Sequence, residues 1–154
     1  MIKHLRIDNR LIHGQVAVTW LKYLSAKAII ICNDKVSKDP IQKMALPMAA
    51  PGSHVLVYSI EDTIKYEKEH PDENIFVIAK FPSDALAILE AGVPVETVNV
   101  GNAAPIAGIK YVMVDKSIAA TAEDAVVYRK IAEHTGGVLT SQLLANSDKR
   151  DFLA

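Results

Sequence analysis

No apolar run in this chain approaches the roughly 18 residues needed to span a bilayer. The densest, residues 28–32, reads AIIIC. The amino-terminal stretch MIKHLRIDNR turns polar at once and holds no signal-peptide hydrophobic region. A single cysteine, Cys32, stands among the 154 residues, so an internal disulfide framework is excluded. It lies within AKAIIICND and reads as a small buried hydrophobe, because apolar surroundings raise a thiol's pKa. Excess charge of either sign is also missing. The formal net charge is -1, which gives no support for nucleic-acid binding. Neither GxGxxG nor GxxxxGK[ST] occurs, which disfavours a nucleotide-binding module. His4, His54, His70 and His134 show no metal-like spacing with one another or with Cys32. They read as surface or strand-end histidines, and no metal is expected. These absences point to a cytoplasmic protein with one domain over residues 1–154.

What is present is a regular alternation of short apolar runs and amphipathic segments. Half the residues are hydrophobic and 23% are charged, as in an ordinary compact protein. Strands are expected at residues 4–7, 28–32, 54–58, 75–79, 97–100, 111–114 and 138–142. Several are continuously apolar, as strands covered on both faces are. Helices are expected at 16–24, 40–48, 60–68, 83–90 and 121–134. Asp39 before Pro40 is an N-cap followed by proline at the first helical position. Ser83 is read as the N-cap of its helix, and Gly92 as a C-terminal stop. Trp20 falls on the apolar stripe of the first helix and reads as core. Residues 67–69 read as a solvated helix face. Strand-helix alternation at this spacing implies right-handed parallel crossovers. The fold expected is an open, mostly parallel α/β sheet of six or seven strands with helices on both faces. The last strand, or that at 111–114, is expected to run antiparallel at an edge. Ligands in such sheets sit beyond the carboxyl ends of the strands. Four turns share that rim: 8–14, 33–39, 80–83 and 101–108.

The first of these turns carries the chemistry. RIDNRLIHGQV runs from the first strand into the first helix and gathers Asp8, Asn9, Arg10, His13, Gly14 and Gln15. The first N–H groups of a helix have no internal partner, and they attract phosphate. The same positive helix end disfavours imidazolium, so His13 there stays neutral and nucleophilic. Gly14 lets the backbone approach closely without a Cβ. Arg10 offers a planar fork of donors to phosphoryl oxygens. Asp8 either orients Arg10 or fixes the tautomer of His13. The set suits a histidine that accepts a phosphoryl group covalently. Asn33 and Asp34, ending the second strand, and Gly101 and Asn102, in the fourth rim turn, are candidate rim contributors.

The same segment closely resembles the active-site block of IIB components of the mannose/fructose/sorbose family of the bacterial sugar phosphotransferase system. NDKVSKDPIQKMALPMAAP and AGVPVETVNVGNAAPIAG are similar to further blocks of that family. The sequence departs from the family pattern at residues 103–105 and 144–146. The resemblance implies a parallel-sheet α/β domain in which His13 accepts phosphate from a IIA domain. Arg10 is then its phosphate-binding neighbour, Gly14 and Gln15 supply helix-start amides, and Asp8 with Asn9 orients the loop. The phosphate passes on to a sugar held by membrane IIC and IID subunits, with which the protein associates peripherally. No cofactor is implied beyond the phosphohistidine, and a homodimer is compatible. The GVPV and NVGN wording is closest to N-acetylgalactosamine or galactosamine systems.

Two other readings compete. A histidine phosphatase would place an arginine directly before its nucleophile, and here Ile12 precedes His13. A regulatory receiver module would need an aspartate after a later strand, where the third strand instead ends in Tyr58, Ser59 and Ile60.

Overall fold

The computed structural model describes residues 1–12, 14–103, 112–115, 118–135, 140–141 and 150–151. Five parallel strands carry the sheet: β1 (Ile2–Asp8), β2 (Ala28–Cys32), β3 (Val55–Tyr58), β4 (Ile75–Ala79) and β5 (Val98–Asn102). They lie in the order β3-β2-β4-β1-β5. The runs AIIIC of β2 and IFVIA of β4 are buried at every position, which is why neither alternates in polarity. Helices α1 (Gly14–Leu24), α2 (Asp34–Ser37), α3 (Pro40–Ala45), α4 (Ile60–Glu69), α5 (Pro82–Glu90) and α6 (Ala122–His134) connect or flank them.

The strand order fixes the layers. From β1 to β2 to β3 the chain moves one way across the sheet, and from β3 to β4 to β5 it returns. Right-handed crossovers therefore put α1 to α3 on one face and α4 and α5 on the other. The packing agrees. Trp20 and Leu24 of α1 and Val36 of α2 cover Ile29, Ile31, Phe76 and Ile78. Ala85, Leu86 and Ile88 of α5 and Tyr128 and Ile131 of α6 cover Leu5, Ile7, Ile30, Val77 and Val100.

Five strands make up the body of the sheet where six or seven were expected, and two short pairings extend its β5 edge. Beyond the five, β8 (Thr140–Ser141) pairs parallel with β5, and β9 (Arg150–Asp151) pairs antiparallel with β8. Each is only two residues long. The segment expected at 111–114 does not join this sheet. Its β6 (Val112–Asp115) pairs antiparallel with β7 (Ile118–Ala120) as a separate two-stranded arm.

Local capping explains most helix starts. The Asp39 carboxylate accepts the N–H of Ile41 at 3.0 Å, as the Asp-Pro pattern predicts. Thr121 and Asp124 cap α6 reciprocally, each bond 3.0 Å long. Helix α5 departs from expectation. It begins at Pro82 rather than after Ser83, because the carboxylate of Asp84 turns back to accept the N–H of Phe81 at 3.2 Å. Two further readings are corrected. His4 is buried rather than at the surface, and Glu67 is buried while Lys68 and Glu69 face solvent. Trp20 and Cys32 are core residues.

Candidate active site

Alternation along β1 sends Leu5 and Ile7 into the α5 layer and His4, Arg6 and Asp8 into the α1 layer. This gives a buried polar stripe that leads to the rim. The His4 ring stacks on Trp20 at 4.3 Å between centroids. Its nitrogens hydrogen-bond Thr97 and Asn99. The Arg6 guanidinium lies 5.6 Å from the Trp20 ring centroid. Burial lowers its pKa to about 10, with the neighbouring Asp8 carboxylate opposing the fall, so it stays cationic at neutral pH.

Asp8 ends the stripe, 1% exposed, and joins two arginines. Its Oδ2 lies 3.3 Å from Arg6 Nη2. Arg10 reaches it from the loop, donating from Nε to Oδ1 at 3.1 Å and from Nη2 to Oδ2 at 2.9 Å. The Arg10 backbone N–H also donates to Oδ1 at 3.0 Å. This two-point fork fixes the guanidinium's plane as well as its position. Leu11 follows at φ 65° and donates its N–H to the Asp8 carbonyl at 3.0 Å. The chain thereby turns sharply before Gly14 opens α1.

The end of β5 braces the other side. The Asn9 N–H donates to the Asn102 carbonyl at 3.0 Å, and Asn102 Nδ2 donates to Asn9 Oδ1 at 2.9 Å. Arg6 lies directly over Gly101. A Cβ there would stand 2.0 Å from the arginine's Cζ, so any larger residue would have to displace the guanidinium.

The structure thus brings Asp8, Asn9, Arg10, Gly101 and Asn102 together beside the start of α1. His13 itself lies outside the described residues. Gly14 and Gln15 are the first two residues of α1, whose leading N–H groups have no partner within the helix. Asn33 and Asp34 sit apart, across β4, with local structural tasks. Asn33 Oδ1 accepts the N–H of Val36 and its Nδ2 donates to Asp84, both at 2.9 Å. Asp34 accepts the N–H of Ile60 at 2.9 Å. Arg6 is the residue that sequence reasoning missed. Its signal was present in the polar spacing His4, Arg6, Asp8, which alternates with Leu5 and Ile7. Among the described residues no three His, Cys, Asp or Glu side chains group as metal ligands.

A rim arginine fixed by a carboxylate, beside a helix start, is an anion-binding arrangement. The family model of the sorbose-subfamily IIB components of the phosphotransferase system matches residues 2–153. A probable phosphotransferase enzyme IIB component of Streptococcus pyogenes is 44% identical over 105 residues, which cover 66% of this chain and 64% of that protein. A sorbose-specific EIIB component of Klebsiella pneumoniae is 36% identical over 129 residues, 82% of this chain and 77% of the relative. The crystal structure of the Klebsiella IIBSor domain superposes with a TM-score of 0.89 at 33% identity, covering 99% of this chain and 94% of that one. The chain belongs to the sorbose subfamily of phosphotransferase-system IIB components. It is accordingly a sugar phosphotransferase component.

Proposed function

We propose that His13 is the phosphoryl acceptor, taking the group from a IIA domain and delivering it to a sugar held by membrane IIC and IID subunits. The observation that carries this reading is the Asp8–Arg10 fork set at the start of α1. The fork engages two nitrogens of Arg10 and leaves its side chain 33% exposed toward the rim. That exposed edge would meet the phosphoryl oxygens, with the α1 amides of Gly14 and Gln15 as further donors. Asn9 would act indirectly, since its bonds to Asn102 hold the loop against β5.

Transfer between two imidazoles breaks one P–N bond as another forms, and the protein's task is positioning and charge stabilisation. No cofactor is needed for that chemistry. No described helix is long and apolar enough to cross a membrane. Delivery to the sugar would therefore occur by peripheral association with the membrane subunits. A homodimer is compatible with this role. The sugar would be selected by the membrane subunits, and N-acetylgalactosamine or galactosamine is the first to test.

His13→Ala should abolish acceptance of phosphate from a phosphorylated IIA domain while leaving the fold intact. Normal labelling of that variant would eliminate the assignment.

A further inference from the structure

A phosphoryl group brings about −1.5 to −2 charges at neutral pH. The Arg6, Asp8 and Arg10 cluster meets it with little net positive charge, because Asp8 cancels one of the two arginines. A second cation stands close by in the fold. Strands β1 and β4 are parallel neighbours, with Ile7 opposite Ala79. The helices that follow them leave for opposite faces. α1 packs with Phe76 and Ile78, and α5 packs with Val77 and Ala79. Where successive connections diverge in this way, a crevice opens beyond the carboxyl ends of the strands. On the β1 side of that crevice stands Asp8 with Arg10. On the β4 side, one residue past Ala79, stands Lys80.

Three observations make Lys80 more than a surface lysine. It stands one residue past the Ile7–Ala79 pair on β4, as Asp8 does on β1. It is half-buried, with its ammonium 5.2 Å from the Phe81 ring centroid, so the head group is held at the rim. Among the described residues it has no ion-pair partner within salt-bridge distance. The acid that feels its charge, Asp84, uses its carboxylate on Asn33 and on the Phe81 N–H.

We propose that Lys80 is a second phosphoryl-binding cation, contacting the phosphoryl oxygens from the β4 side of the crevice during transfer to and from His13. The inference rests on the carrier reading. As the donor's P–N bond breaks and the bond to His13 forms, the ammonium neutralises charge on the oxygens and keeps its proton. Nothing is oxidised or reduced.

The test uses the full chain with two donors: phosphoramidate, which has no protein surface, and a phosphorylated IIA domain. Lys80→Met should slow acceptance from both by about a hundredfold, chiefly in kcat, as expected for loss of one charge-stabilising donor. Lys80→Arg should recover most of the rate, and both variants should keep the wild-type melting temperature. Wild-type rates for Lys80→Met would overturn the proposal. So would a loss confined to the IIA donor, which would make Lys80 a docking residue. If the wild-type chain accepts phosphate from neither donor, the carrier reading falls and Lys80 with it.

Discussion

Asp8 sits where burial, charge and hydrogen bonding meet. An ionised carboxylate at 1% exposure is tolerable only if it is paired, and two guanidinium groups pair it. The buried partner, Arg6, is itself held by Trp20 above and by the bare Cα of Gly101 beneath. The arrangement is therefore sensitive to a single methyl group. Gly101→Ala should destabilise the protein by about 1–3 kcal/mol, since the added carbon must displace Arg6 or the strand. Denaturant titration measures this, and an unchanged midpoint would show that Arg6 can leave Gly101 at no cost. The loop half of the site was legible in sequence, because Asp8, Asn9 and Arg10 are neighbours in a turn. The supporting half was legible only in part, since Gly101 and Asn102 were rim candidates but their partners were not foreseen. Arg6, Gly101 and Asn102 become partners only when β5 lies beside β1, a pairing across some ninety positions that no local pattern announces.

At the level of elements, caps decide where helices begin, and Asp84 shows the limit of reading them locally. Ser83 has the chemistry of an N-cap, yet Asp84 displaces it by accepting from the Phe81 N–H and from Asn33, which ends β2. One carboxylate thus ties the exits of β2 and β4 together. Burial raises its pKa above the ordinary 3.8. The folded state therefore binds this proton more tightly than the unfolded chain, and Asp84's contribution is fullest below that ordinary value and declines as pH rises. Asp84→Ala leaves two donors without their acceptor and should cost about 1–3 kcal/mol. The penalty should be larger near pH 4 than near pH 7 when midpoints are compared. A penalty that grows with pH would mean that the ionised form is the one the fold prefers. The Asp39 cap was legible because its bond to Ile41 is local and needs no distant partner, whereas Asp84 is also held by Asn33, fifty-one positions away.

Over the whole molecule, the order β3-β2-β4-β1-β5 turns a list of strands into a place for chemistry. It sends α1 and α5 to opposite faces and so opens the rim between β1 and β4. The continuous apolar runs of β2 and β4 announced buried parallel strands, and the sheet follows them. The sheet's margin was harder to read, because residues near 112 and 140 form pairings of two to four residues that composition does not distinguish from longer strands. The family relation extends over residues 2–153.

The most direct measurement is mass spectrometry of the full chain after incubation with a phosphorylated IIA domain. The account predicts one added phosphoryl group, on the peptide that contains His13, lost on mild acid treatment. A stable phosphate on another residue, or none on a folded protein given an active donor, would contradict it.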